Sequence, residues 1–290
     1  MTHPADTAAR PHALTSLLLY GNLQIPLVAA GLLGATPLWF DAPLQGPLML
    51  AGAGGAFLLY QIDRAWHTSA EDAHNQPDRL QWVHRHRRYT LFSTLASLLA
   101  IGVAWPYLSP RTLGAGAVLG VAGVLYLFPL LPGKTRLKGN WLIKPLAIAG
   151  GWALGATLLP TLEAGRLPDG QVALLFVYRL LFLLPNVLLA DWPDRDGDRR
   201  EGLRSVAQFL GETSMRRVAQ LTCGAALAVG GVLAWRSGWP PPAWIDLAGP
   251  VIMALLVSRP MPASRWFYTL ALDLAAAWPL VGVAIAGWGR

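Results

Sequence analysis

Residues 171–202 read QVALLFVYRLLFLLPNVLLADWPDRDGDRREG. The first twenty, 171–190, contain one charge, Arg179, and four carboxylates follow within eight residues: Asp191, Asp194, Asp196 and Asp198. Roughly 20 apolar residues are what a helix needs to cross a hydrocarbon core. Backbone groups in lipid must be satisfied within the segment, so such a run is a helix. The stretch therefore reads as a membrane span that opens directly into an acidic loop.

Similar runs occupy much of the rest of the chain. Candidate spans are 13–38, 43–62, 89–108, 112–132, 142–160, 171–190, 215–235, 242–258 and 266–288, nine in all. The eighth is interrupted by Asp246 and Pro250, and the first carries Asn22, Gln24 and Pro26. Composition agrees, because 54% of the residues are apolar and only 13% are charged, against about a quarter charged in a soluble domain. Trp39, Trp82, Trp105, Trp141, Trp239, Trp244 and Trp288 fall near the ends of apolar runs, where amphipathic rings anchor at the interface. The lone Cys223 lies inside a run and reads as a small core residue. The expected fold class is all-α: a polytopic bundle of nine membrane helices around a central cavity. Residues 1–12 read as a disordered tail, and 13–290 as a single membrane domain.

The net charge of +7 would point to nucleic acid in a soluble protein. Here the basic residues are distributed by topology, and no nucleic-acid partner is expected. With the N-terminus inside, eighteen Lys and Arg lie in inner segments and four in outer ones. The positive-inside rule then puts the N-terminus in the cytoplasm of a multi-pass cell-membrane protein. Arg-rich, Lys-poor usage fits a bacterial inner membrane. The long charged loops, 60–88 and 191–214, both fall on the cytoplasmic side.

Clustered carboxylates beside lipid repel one another and need a cation. A hard divalent ion such as Mg²⁺ takes one or two carboxylates, waters and phosphate oxygens. Asp191, Asp194 and Asp198 are spaced i, i+3 and i+7, one face of a helix, while Asp196 points elsewhere. Pro193 argues against a perfect helix there, and Gly197 and Gly202 permit turning. The plainer reading is a solvated loop whose acids pair with Arg195, Arg199 and Arg200.

The pattern Asp191-x-x-Asp194-x-x-Gly197-Asp198-Arg199-x-x-Gly202, followed by Phe209-Leu210-Gly211-Glu212, resembles the second aspartate-rich motif of the UbiA superfamily of membrane prenyltransferases. The resemblance covers roughly residues 14–288, including enlarged loops after spans two and six. It implies Mg²⁺-dependent transfer of a prenyl group from an isoprenyl diphosphate to a lipophilic or aromatic acceptor, in a cavity open to the lipid bilayer. It further implies that Asp191, Asp194, Asp198 and Asp63 are the catalytic, metal-holding carboxylates.

Departures from the family lie in the first motif. Leu59-Tyr60-Gln61-Ile62-Asp63-Arg64-Ala65-Trp66-His67 keeps only Asp63, with Tyr60 and His67 at other acidic positions. Glu71 and Asp72 are possible substitutes one turn further on. The implied substrate-binding residues are Arg79, Lys138, Lys144, Asn22, Arg64, Tyr60 and Arg179. Arg179 and Asp273 lie inside spans, so they face the bundle interior, either paired with each other or lining a polar part of the cavity. Gln24 and Asn186 read as interhelical hydrogen-bonding residues. No Gly-x-Ser-x-Gly or phosphate-cradling Gly-Lys-Ser/Thr loop is present. Two other readings stay open: a terpene cyclase of the same superfamily, and a non-catalytic prenyl- or lipid-binding or transport protein.

Overall fold

The computed structural model describes residues 13–66, 76–127, 143–195, 199 and 205–288. The expected tail at 1–12 lies outside them, as do His67, Glu71, Asp72, Lys138 and Asp198.

Among the described residues the chain is helical, with no strand. In order come α1 (Ala13–Tyr20), α2 (Gln24–Leu38), α3 (Gly46–Trp66), α4 (Pro77–Arg85) and α5 (Arg87–Ala104). They are followed by α6 (Pro110–Leu127), α7 (Ile143–Glu163), α8 (Gly170–Ala190), α9 (Val206–Arg236) and α10 (Pro241–Ser258). A π-helical turn (Phe267–Ala271) leads into α11 (Leu272–Ala276), and α12 (Pro279–Trp288) ends the described chain. Six helices are long and apolar enough to cross a membrane, or seven if the 42° bent pair Phe267–Ala276 and Pro279–Trp288 is one span. The other two of the nine expected spans are helical but do not qualify. The first is broken at Asn22, leaving α2 with 15 residues, and α3 ends in the polar turn around Gln61 and Asp63.

The break at Asn22 combines a left-handed residue with a contact from α5. Asn22 adopts φ 60°, in the left-handed region that asparagine tolerates better than most residues. The Gly21 carbonyl accepts a 2.6 Å hydrogen bond from the Tyr89 hydroxyl. A Cβ on Gly21 would lie 2.8 Å from that hydroxyl and 2.4 Å from the Leu17 carbonyl, so the approach requires glycine.

Helix α8 is the axis of the bundle. Asp169 caps it, accepting from the backbone N–H groups of Gln171 and Val172. Its Leu175, Tyr178, Arg179 and Phe182 are fully buried, and it packs chiefly on α9 and α7. Helix α9 turns small residues inward (Ala219, Cys223, Ala226 and Gly230), which lets backbones approach closely in lipid. Cys223 is a free, buried core residue, as expected. Helices α5 and α6 lie at the periphery, with Leu91, Phe92, Leu99, Val118 and Val121 exposed, a surface suited to lipid. Trp105, Trp244 and Trp288 are exposed at helix ends, but Trp39 is only 2% exposed and belongs to the core.

Of the two readings offered for Arg179 and Asp273, pairing with each other is not what the structure has. The Arg179 guanidinium forms a bidentate pair with Asp246, at 2.7 and 2.6 Å, and the two side chains are 0% and 3% exposed. Trp39 Nε1 donates to the same carboxylate at 2.6 Å, and the Tyr178 hydroxyl donates to the Asp246 carbonyl at 3.0 Å. The interruption of the eighth span thus supplies the counter-charge for the sixth. Asp273 instead accepts from Asn186 Nδ2 at 2.9 Å and Gln24 Nε2 at 3.1 Å. Gln24 and Asn186 make the interhelical hydrogen bonds expected of them.

Candidate functional site

Helix α8 ends at Ala190, and Asp191 leads into a tight 3₁₀ turn, Trp192–Asp194. Pro193 suits such a turn, since a helix interior would lose a hydrogen bond there. With about three residues per 3₁₀ turn, positions i and i+3 eclipse, so Asp191 and Asp194 stay on one side. Arg195 folds back over the Trp192 ring, 4.2 Å from its centroid, and donates to the Trp192 carbonyl. Arg195 is therefore engaged with Trp192 and its carbonyl.

Each of the two aspartates meets a cation from a different element. Lys144, in the first turn of α7, reaches Asp191 Oδ1 at 2.7 Å. Arg265, the first residue of the helical turn that runs into the π-helix, lies 2.9 Å from Asp194 Oδ1. Asp194 Oδ2 accepts from Gln76 Nε2 at 3.2 Å. Gln76 precedes α4, so the two enlarged loops touch at this point. Arg79 is one turn along α4 from Gln76, half-buried.

Asp194 Oδ1 is buried yet has no hydrogen-bond partner. The Arg265 nitrogen is near enough to pair electrostatically but is misaligned for a hydrogen bond. A buried carboxylate oxygen with an unused lone pair, beside a second carboxylate, is the donor chemistry a hard cation takes. No group of three or more potential ligands gathers among the described residues, and Asp196 and Asp198 lie outside them.

Asp63 is half-buried near the end of α3. It, Asp191 and Lys144 all lie within electrostatic reach of the Tyr126 hydroxyl at the end of α6, so the surviving acid of the first motif is at the same end of the bundle as the second. Tyr60, one turn earlier, packs edge-on against Trp152 of α7, with centroids 6.4 Å apart. Arg64 occupies the last turn of α3. Asn22 is 0% exposed, and both polar atoms of its side chain lack partners. Two residues before it, Tyr20 feels the charges of Asp78 and Arg265, which puts Asn22 at the same end of the bundle. Arg179 is fully buried and paired with Asp246. Surface cavities of about 360 and 510 Å³ lie at the opposite end, around Glu163 and Pro241, and contain none of these groups.

Sequence reasoning missed Gln76, Arg265 and Tyr126 as members of the site. Arg265 was visible only as a basic residue in an inner loop. Its tie to Asp194 arises from packing between distant segments.

A helical bundle of membrane-spanning segments, with acids and cations converging at one end, defines the class of protein. The sequence matches the model of the UbiA prenyltransferase family over residues 23–272, and the chain belongs to that family. No individual curated protein matches it. Among solved structures, it resembles the apo structure of a UbiA homologue from Aeropyrum pernix K1 with a TM-score of 0.58 at 16% identity, covering 92% of this chain and 96% of that one. A digeranylgeranylglyceryl phosphate synthase structure aligns with a TM-score of 0.54 at 15% identity, covering 94% of this chain and 97% of the other. At such identities the likeness shows a shared fold.

Proposed function

We propose that the chain is a membrane-embedded transferase that moves a prenyl group from an isoprenyl diphosphate to a lipophilic or aromatic acceptor. The observation that carries this reading is the convergence of Lys144 with Asp191, and of Gln76 and Arg265 with Asp194, at one end of a UbiA-family bundle. Acids and cations interleaved in this way suit a metal–diphosphate pair, which carries both signs of charge.

Asp191 and Asp194 hold Mg²⁺ in this reading, with Asp198 and Asp63 completing the set. When bound, the ion neutralises charge on the departing diphosphate. Lys144 serves the diphosphate as a point charge and Arg79 as a planar fork. Arg64, Lys138 and Tyr60 are further groups for the diphosphate end. Asn22 orients a diphosphate or acceptor oxygen with its two unpartnered amide atoms. Loss of the diphosphate leaves an allylic cation, and the positive groups around the diphosphate assist that step by stabilising the leaving group. The cation is then captured by the acceptor's nucleophilic atom, which gives up its proton.

The test is diphosphate release from radiolabelled isoprenyl diphosphates of several lengths in membranes containing the protein, with and without Mg²⁺. Release that needs Mg²⁺ and an added acceptor supports a transferase. Release without acceptor, with a cyclised product, overturns transfer in favour of a cyclase. No release with any chain length overturns the enzymatic reading.

A further inference from the structure

We propose that Arg265 competes with the divalent metal for Asp194 and, once displaced, becomes a ligand of the diphosphate. This rests on the metal-and-diphosphate reading of the site and adds a residue from the last inner loop to it.

The geometry is of a pair built to exchange. The guanidinium lies 2.9 Å from Asp194 Oδ1 yet leaves that oxygen without a hydrogen bond. Charge complementarity is present, but the aligned bond that would make the pair durable is not. A divalent ion on the same oxygen would stand too close to the guanidinium for both to stay unless an anion lies between them. Diphosphate is such an anion, because its charge exceeds what one divalent ion neutralises. The Arg265 and Asp194 side chains are 41% and 21% exposed, so the arm has room to swing and solvent to cross.

The backbone that carries the arm is fixed. Glu212 Oε1 accepts from the Met261 N–H at 3.0 Å. Arg216 donates to the carbonyls of Val257 and Ser258. The Tyr268 hydroxyl closes the loop onto the Pro262 carbonyl at 2.9 Å. Glu212 directly follows Gly211 near the start of α9, so the segment leading to Arg265 is tied to the helix that follows the acidic loop. Only the side chain has to move. Lys144 approaches from α7, so Arg265 adds a cation from a second direction.

A merely structural tie between two loops predicts that losing Arg265 weakens everything. Competition predicts effects of opposite sign. Calorimetry on the full chain in detergent micelles, titrating MgCl₂ alone and then inorganic pyrophosphate in the presence of Mg²⁺, separates them. Arg265→Ala should bind Mg²⁺ alone about fivefold more tightly, the worth of one half-exposed ion pair. It should bind pyrophosphate about tenfold more weakly, through loss of a charge-assisted donor. Arg265→Gln, which keeps the bulk, should shift the same way if the alanine variant folds poorly. Arg259→Ala, at the start of the segment that leads to Arg265, should change neither. If both affinities fall together, or neither moves, the exchange is overturned while the reading of the site stands. If the wild-type chain shows no Mg²⁺-dependent pyrophosphate binding, the exchange and that reading fall together.

Discussion

At the scale of single residues, Lys144 lies at the site end of the bundle and Asp246 in its buried interior, and they have opposite kinds of role. Lys144 meets Asp191 at 2.7 Å and is partly exposed, at 29%, so its removal leaves the fold intact and the site short of one cation. Lys144→Ala should weaken Mg²⁺-dependent pyrophosphate binding about tenfold, the scale of one charge-assisted hydrogen bond, with an unchanged melting temperature. Asp246 is 3% exposed and balances a fully buried arginine. Asp246→Asn should destabilise the protein by about 3–5 kcal/mol because it strands a buried charge. Thermal melting in detergent measures that loss, and Arg179→Met combined with Asp246→Leu should recover most of it. A double variant that still binds pyrophosphate like wild type would also confirm that Arg179 is no substrate ligand. The sequence makes Asp191 and Asp194 legible because their spacing is local. Arg179 and Asp273 were an obvious pair of charges within spans. The true partner of Arg179 depends on how α8 and α10 rotate against each other, which no local pattern records. For the same reason Arg265 was hidden: its partner lies on a different loop.

At the scale of elements, two breaks in helices shape the site end of the bundle. Gly211 interrupts α9 with φ 68° and ψ 171°, a conformation essentially confined to glycine. The break sets Val206–Leu210 apart from the long span beyond, and Glu212 is then placed to hold the Met261 N–H. Gly211→Ala has open space around it, so its cost is backbone strain alone, about 1–3 kcal/mol. It should lower the melting temperature and weaken pyrophosphate binding together, since the break positions the loop of Arg265. At the other end, the Asp169 cap of α8 is independent of the site. Asp169→Ala should cost about 1 kcal/mol with binding unchanged. Helix positions and their polar ends were readable from apolar run lengths. The division of the first span was not, because it turns on the Tyr89 contact to Gly21, two segments that meet only after folding.

At the scale of the whole molecule, orientation and central chemistry are both open to direct test. Eighteen inner against four outer basic residues predict that the acidic loops face the cytoplasm. The single cysteine is buried, so engineered cysteines can be labelled against a quiet background. In intact cells a membrane-impermeant maleimide should label Arg166→Cys and spare Arg85→Cys, and the reverse pattern would invert the topology. The central claim is that Asp191 and Asp194, with their cations, form a metal-dependent prenyl-diphosphate site. Its most direct test is binding of a non-hydrolysable prenyl diphosphate analogue to the purified protein, with Mg²⁺ and with chelator, alongside Asp194→Ala. The account predicts binding that needs Mg²⁺ and is lost in the variant. Binding that ignores both Mg²⁺ and Asp194, or no binding at all, would contradict it.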